Sequence, residues 1–380
     1  MRTKALPVVG VEIPPVDTTP EVDELLRSNC PVAVGVSGGK DSDAVALAVD
    51  THLDSINHTG PRVLIHSDLG DIEWAASLPQ CQWLATRLGK SWKLVVVRRA
   101  KGGMLERWEQ RWTDNLKRYI DLSCVQIILP WSTPGMRFCT SELKTDIICR
   151  ELSGMFPGQK ILSVTGIRRQ ESKDRANAPI SKVENKLFNK TRQTSGLQWN
   201  AIATWTLEHV WEIHTRMGVP RHEAYTTFGA SRVSCCACIM SAANDLVAAT
   251  RDERNHPALM RVAQLEHRST FGFQGSRWLS DVLIAQDLKA AKTLQFTGRL
   301  AVARELAIER QRIEAMIPKH MLFTKGWPES LPSREEAETL AYVRSQIGKV
   351  FDIVPSCTTT RAVRARYKKL LELKNLKKVV

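Results

Sequence analysis

The sequence predicts an α/β fold built on a doubly wound, mostly parallel sheet. Three observations carry that expectation. Four short apolar, β-branched runs stand in the first half, at 31–36, 62–65, 94–97 and 161–167. The segments between them, such as 43–49 and 75–88, have helix-like apolar spacing, and strands alternating with helices wind into parallel sheets. The runs are also nearly continuous in their apolarity, as strands covered on both faces must be.

The first run leads into Ser37-Gly38-Gly39-Lys40-Asp41-Ser42 and then into a helix. Two glycines let the backbone turn tightly and aim successive N–H groups inward, making a nest for oxyanions. The following helix N-terminus adds its positive dipole end. Ser37 and Ser42 supply hydroxyl donors and Lys40 a point charge. Neither the GxxxxGK[ST] nor the GxGxxG spacing is present. The second run ends at Asp68-Leu69-Gly70, followed by Glu73-Trp74. A residue just past a parallel strand's carboxyl end lies in the ligand crevice of such sheets. The fourth run passes into Gly166-Ile167-Arg168-Arg169-Gln170-Glu171-Ser172-Lys173-Asp174-Arg175. Three guanidiniums and a serine there form a donor array suited to phosphate or sulfate. The polar, basic and aperiodic stretch 181–198 reads as a mobile loop.

Cysteine placement is uneven. Cys139 lies in Arg137-Phe138-Cys139-Thr140-Ser141-Glu142-Leu143-Lys144, and Cys235, Cys236 and Cys238 fall within four positions. Cys235 and Cys238 form a C-x-x-C pair whose sulfurs can converge on one ion or cluster. Cys139 makes a third thiolate. Cys236, Cys149, His222 or no protein group at all are open choices for the fourth position. Zinc and a [4Fe–4S] cluster both suit such a set, the cluster being preferred. Cys30, Cys81, Cys124 and Cys357 read as packing.

From about Thr270 the signals are helical. Val302, Leu306, Ile313 and Ile317 share one face of a helix over 300–317. Ser333 with Glu336 makes a capping-box pattern that opens another. The last twenty residues hold eight Lys and Arg against Glu372. Trp74, Trp83, Trp108 and Trp112 sit at helical spacings and read as core. The expected organisation is a nucleotide-binding α/β domain over 1–225, a cysteine module over 226–270 and a helical basic region over 271–380.

Composition narrows the class. The 380 residues carry 54 Lys and Arg against 40 Asp and Glu, a net charge of +14 that calls for an anionic partner. No run of 18 apolar residues exists, so no transmembrane helix and no membrane partner are expected. The N-terminus lacks the apolar segment of a secretory signal, which predicts a cytoplasmic protein. Nine cysteines without an export signal point to metal or redox chemistry rather than to a disulfide scaffold.

The Ser37–Ser42 loop resembles the PP-loop of ATP pyrophosphatases, which cleave ATP between the α and β phosphates. Asp68-Leu69-Gly70, the 166–176 arginine motif, Arg137–Lys144, Tyr225 and Ser231–Ile239 together resemble the phosphoadenosine phosphosulfate (PAPS) reductase family. The similarity is to its phage and prophage branch, and it extends to DNA phosphorothioation sulfurtransferases. It spans about 31–249. The resemblance implies an adenine nucleotide alpha-hydrolase-like fold with ATP or PAPS held by Ser37, Gly38, Gly39, Lys40, Asp41, Ser42, Asp68, Gly166, Arg168, Arg169 and Ser172. It implies Mg²⁺ on the phosphates, Lys40, Asp41, Arg168 and Arg175 in catalysis, and Cys139, Cys235, Cys236 and Cys238 around a [4Fe–4S] cluster or Zn²⁺. The expected activity is adenylation of an acceptor, such as nucleic acid, for sulfur transfer, with DNA or RNA contacted through the basic C-terminal region. The family's reductases end in Glu-Cys-Gly-Leu-His, which this chain lacks. Thiol-dependent PAPS reduction is therefore the alternative, beside a non-catalytic nucleotide-sensing component.

Overall fold

The computed structural model describes residues 10–379, with side chains through residue 376. The expectation about an export signal rests partly on residues 1–9, and part of the basic tail on the side chains of Lys377 and Lys378, which lie outside the described residues. The chain forms two compact units. The first runs to Met104 and resumes over Ser132–Ala258; the second takes Leu105–Trp131 and the chain from Leu259 onward.

In the first unit, α1 (Pro20–Arg27) has proline at its first position, and the Thr19 hydroxyl accepts from the Val22 N–H. The chain then alternates through β1 (Val32–Val36), α2 (Lys40–Ser55), β2 (Arg62–Asp68), α3 (Ser77–Leu88) and β3 (Trp92–Arg98). It leaves at Met104, the first residue of α4 (Met104–Ile120). It returns through the short α5 (Phe138–Thr140), a π-helical turn over Ser141–Thr145, α6 (Asp146–Met155), β4 (Lys160–Val164), β5 (Ser181–Val183) and β6 (Ser195–Trp199). Helices α7 (Leu207–Arg216), α8 (Glu223–Thr226) and α9 (Ala243–Thr250) complete the unit.

The sheet order is β3-β2-β1-β4-β6-β5. Every pairing is parallel except β5 with β6, so the mostly parallel expectation holds. Alternating strand residues feed two cores. Val32, Val34 and Val36 pack with Ala44–Val49 of α2 and with Val210 and Ile213 of α7. Ala33, Val63 and Ile65 face Ile147 and Leu152 of α6. That is a sheet covered on both sides, and the apolar runs in the sequence are its signature.

Two sequence expectations need correction here. The stretch 181–198 is not a loop. It holds β5, a 3₁₀ turn over Asn185–Leu187 and most of β6, with Leu187 fully buried. Its polarity is that of an edge strand, whose outer face meets water (Val183 is 66% exposed). The fourth strand also ends at Val164 rather than at 167, which leaves Thr165–Ile167 in the crevice.

The second unit is helical from Thr270 onward, as read from sequence. After α10 (His256–Ser269) come α11 (Leu279–Ala285), α12 (Leu294–Glu314), α13 (Arg334–Phe351) and α14 (Thr360–Val379). The α13 capping box is present: Ser333 Oγ accepts from the Glu336 N–H at 3.1 Å, and the Glu336 carboxylate accepts from the Ser333 N–H at 2.7 Å. The inward stripe of α12 matches the expected one in part, with Ile313, and Ile317 just beyond the helix, buried. Ala303, Ala307, Ile313 and a buried Arg310–Glu314 pair (2.9 Å) face in, while Val302 is 54% exposed. Small residues let neighbouring helices approach closely, and a paired charge can be buried, so apolarity alone gave only part of the face. The fully buried Glu266 accepts from Phe273 N–H, Leu279 N–H, Ser280 N–H and Ser280 Oγ, pinning the 273–280 turn. Trp108 and Trp112 are core, as expected. Among the described residues no helix is long and apolar enough to cross a membrane.

Candidate functional site: a cationic pocket beside a thiol cavity

The site lies in the first unit, where the strand order reverses. From β1 the chain steps outward through β2 and β3, and β4 then lies on the other side of β1. Loops leaving the carboxyl ends of β1 and β4 therefore diverge around a crevice, the usual ligand position in such sheets. Ser37–Gly39 follows β1 and Thr165–Glu171 follows β4. Two glycines make their approach feasible. Gly38 has φ +72°, and a Cβ there would meet the Ser77 carbonyl oxygen at 2.7 Å. A Cβ on Gly166 would meet the Asp41 carbonyl oxygen at 2.6 Å.

The Ser37–Ser42 loop is internally braced. Ser42 Oγ donates to Gly39 O at 2.8 Å and accepts from the Ser37 N–H at 3.2 Å. The Lys40 N–H donates to Tyr225 Oη at 3.1 Å, and His214 Nε2 meets Lys40 O at 2.9 Å. Two of the amides expected to cradle phosphate, those of Ser37 and Lys40, are thus engaged within the protein. With those amides engaged, side chains are the principal donors left facing the crevice. Lys40 Nζ stands 3.3 Å from Asp41 and 3.4 Å from Ser231 O.

Beneath the loop, burial pushes the Asp43 carboxyl up to about 7 against hydrogen bonds from Gln80 and Ser42. The folded state therefore keeps a proton that the unfolded chain releases near the ordinary carboxyl value. Stability from this group is fully present below that value and is lost as pH rises toward 7. Asp43→Asn, which still accepts from Gln80, should flatten this dependence. At pH 8 it is expected to exceed the parent in urea unfolding by about 1–4 kcal/mol, with little gain at pH 4; equal pH profiles would refute the assignment.

Of the arginines expected on phosphate, only Arg175 lines the crevice. Arg168 is buried, its Nε donating to Asp41 at 2.7 Å and its Nη1 to Gln170 and Trp205 O. It fixes Asp41 rather than presenting an open fork. Arg169 Nε donates to Ala178 O at 3.0 Å, and neither Arg169 nor Ser172 is among the lining residues. Asp68 organises its own turn, accepting from the Gly70 N–H at 2.7 Å and facing Arg98 at 3.5 Å. Residues the sequence reading did not single out take their places. Lys144 and Arg232 line a cationic pocket of about 290 Å³, together with Ser37, Gly39, Lys40, Asp41, Ser42, Gly166 and Arg175. Both cations lie inside cysteine motifs, where a lysine or arginine has no spacing of its own to mark it.

A second cavity of about 220 Å³ adjoins the first and shares Ser37, Lys144, Arg175, Arg232 and Val233 with it. Cys139, Cys235 and Cys238 open onto it, with Arg137, Glu73 and Asp245. Asp245 of α9 anchors the cysteine segment by accepting from Ser231 N–H and Oγ at 2.7 and 3.0 Å. Glu73 is held by His66 at 3.1 Å. Burial alone would strip the His66 proton, but hydrogen bonds to Cys81 and Glu73 push it up to about 10. Burial raises the Cys235 thiol, and the neighbouring Lys144 ammonium opposes that rise.

The four cysteines expected around a metal are only partly gathered. Cys236 points into the core, 2% exposed, and its N–H donates to Ile72 O at 2.8 Å. His222 is buried and caps Ala224, and Cys149 packs against the sheet. Three thiols on one cavity have the softness that zinc or iron favours. Among the described residues, however, no three His, Cys, Asp or Glu side chains stand close enough to hold a metal ion.

No curated protein matches the chain. Among solved structures it is similar to the U34-tRNA thiolase NcsA from Methanococcus maripaludis with its [4Fe–4S] cluster. The identity is 16% over 65% of this chain and 74% of that one, with a TM-score of 0.35. The phosphoadenosine phosphosulfate reductase domain family matches residues 126–241, which hold Cys139, Lys144, Arg175, Tyr225 and the 235–238 cysteines but not the Ser37–Ser42 loop. The chain is thus similar to the phosphoadenosine phosphosulfate reductase domain over under a third of its length, and the loop after β1 lies outside the matched stretch.

Proposed function

We propose that the protein cleaves ATP between its α and β phosphates to adenylate an acceptor, and that sulfur handled in the thiol cavity then replaces AMP. The observation that carries this reading is the wall shared by the two cavities, Ser37, Lys144, Arg175, Arg232 and Val233. An activated group in one chamber would lie next to thiols in the other. In the chemistry proposed, an acceptor oxygen attacks the α-phosphorus and pyrophosphate departs. A sulfide-level sulfur nucleophile then forms a bond to the acceptor carbon as AMP leaves. Lys40, Lys144, Arg175 and Arg232 would stabilise the charge that develops on the phosphates, with Mg²⁺ arriving on the nucleotide.

Sulfur handling is assigned to thiols. A [4Fe–4S] cluster, or Zn²⁺ in its place, would have to draw Cys139, Cys235 and Cys238 together from their present positions. Iron, acid-labile sulfide and zinc measured on anaerobically purified protein decide between the two, and stoichiometric metal would overturn the thiol assignment. Product analysis tests the rest. AMP and pyrophosphate in equal amounts are expected from MgATP; ADP with phosphate, or sulfite from PAPS with thioredoxin, would sink the reading. Tight ATP binding without turnover would favour a nucleotide-sensing role.

The acceptor we favour is nucleic acid, engaged through α14. Val363, Tyr367 and Leu370 are buried at helical spacing, so Arg361, Lys368 and Lys369 face water. Each cation on a phosphate adds nearly one unit to the salt dependence of binding. Replacing these three by Ala should lower the slope of log K against log salt by about 2–3. An unchanged slope would remove α14 from the interface.

A further inference from the structure

We propose that Tyr225 makes the reactivity of the Cys235 and Cys238 thiols depend on whether the cationic pocket is occupied. The inference rests on the reading of that pocket as a nucleotide site. Tyr225 lies on α8, and its ring packs edge-on against Trp211 at 5.4 Å with the Lys40 ammonium 5.3 Å from its centre. Its hydroxyl oxygen accepts two backbone hydrogen bonds, from the Lys40 N–H at 3.1 Å and the Val233 N–H at 3.3 Å. One phenol oxygen therefore ties the first residue of α2 to the segment two residues before Cys235.

The bond is the centre of a larger contact. An atom added at Gly39 would meet Val233 Cβ at 3.4 Å, so the cysteine segment lies directly on the phosphate loop. Lys40 Nζ also reaches Ser231 O, in the same segment. A phenol accepts two hydrogen bonds and still has one to donate. Tyr225 lines the cationic pocket, so that remaining donor is available to an anion bound there. A phosphate drawing on Lys40 Nζ would weaken its hold on Ser231 O, and Tyr225 would remain as the link between loop and segment. Occupancy of the pocket is thereby transmitted to the backbone that carries Cys235 and Cys238, both partly exposed. Such a link would either keep the thiols shielded until the nucleotide is in place to activate the acceptor, or shield them while it is bound; its existence does not depend on the sign.

The test uses the full chain, with α,β-methylene-ATP and Mg²⁺ as the probe. Rates of N-ethylmaleimide modification are read at Cys235, Cys238 and Cys139 by peptide mass spectrometry, with nucleotide affinity measured separately. In the parent protein nucleotide should change the Cys235 and Cys238 rates by about tenfold, the equivalent of one or two hydrogen bonds. In Tyr225→Phe, which keeps the ring, that response, read at saturating nucleotide, should shrink to about twofold or less, while affinity falls by about tenfold or more as the hydroxyl's bond to the anion is lost. The response of Cys139, which lies on α5 rather than on the tied segment, should be alike in both proteins.

An undiminished response in the Phe variant would mean simple occlusion by the ligand and would overturn the proposal. Nucleotide that binds without altering the thiols would do the same while sparing the reading of the pocket. Failure of both the ATP analogue and adenosine 3′,5′-bisphosphate to bind would overturn that reading and the inference with it. Should the Phe variant fail to fold, hydrogen exchange over 230–239 in the parent serves instead. Exchange there must change on adding nucleotide, and no change overturns the proposal.

Discussion

Lys40→Ala is expected to reduce pyrophosphate release by about 10²–10³-fold. In a loop whose amides all faced the ligand, one lysine would matter less, because the backbone would share the charge. Here the Ser37 and Lys40 amides are engaged by Ser42 and Tyr225, so the ammonium carries more of the anion's stabilisation. Its present partners, Asp41 and Ser231 O, hold it within reach without neutralising it completely, since Asp41 is shared with Arg168 at 2.7 Å. Removal should leave the fold intact: Arg168 keeps Asp41 in place, and α2 retains its buried Ala44–Val49 face. The loss should appear in kcat, because the lysine's charge acts where charge develops in the transition state. A variant that only raises KM, or that melts well below the parent, would refute this role.

The largest stability effect is expected at Arg344 in the second unit. Its side chain is fully buried on α13, and no carboxylate is among its recorded partners. Nη2 donates to Tyr119 O at 2.8 Å and Ile120 O at 3.0 Å, the last carbonyls of α4, and both Nε and Nη2 donate to Ser356 O. The charge is met by a helix C-terminus, whose dipole is negative, and by the Tyr119 ring 4.8 Å away. Burial lowers the tendency of Arg344 to hold its proton, while neighbouring tyrosines and cysteines oppose that shift. Arg344→Ala would leave a cavity and remove the guanidinium from Ser356 O, while Tyr119 O keeps the Leu122 N–H and Ile120 O keeps the Ser356 N–H and Oγ, a loss of about 2–4 kcal/mol. Arg344→Lys cannot reproduce the planar fork and should recover only part of it. Urea unfolding followed by both fluorescence and far-ultraviolet circular dichroism checks this, since two units need not unfold together. A loss below about 1 kcal/mol would show that water takes the guanidinium's place.

The strands, the phosphate loop and the capping box could be read directly from the residues because each is local. A buried parallel strand must be apolar along its length, a loop that turns sharply around an anion needs glycine, and Ser333 and Glu336 satisfy each other within one helical turn. The edge hairpin at 181–199 escaped because its pattern reports water on one face rather than a loop. Part of the inward face of α12 escaped because it buries two alanines and an ion pair.

Site assignment divides along the same line. Residue types were legible: a lysine, arginines and cysteines suited to phosphate and sulfur. Which arginine presents its charge was not, since Arg168 and Arg175 are seven residues apart in one motif yet one is buried against Asp41 and the other lines the crevice. The fold class and the kinds of group available for chemistry are written into short stretches of residues, because both depend on contacts between near neighbours. Folding alone brings Lys144 and Arg232 into the pocket beside the Ser37–Ser42 loop, turns Cys236 away from the thiol cavity, and lets Tyr225 reach Lys40 across 185 positions while also holding Val233. Those choices follow from which loops the reversal of strand order places side by side, and no spacing along the chain encodes that proximity.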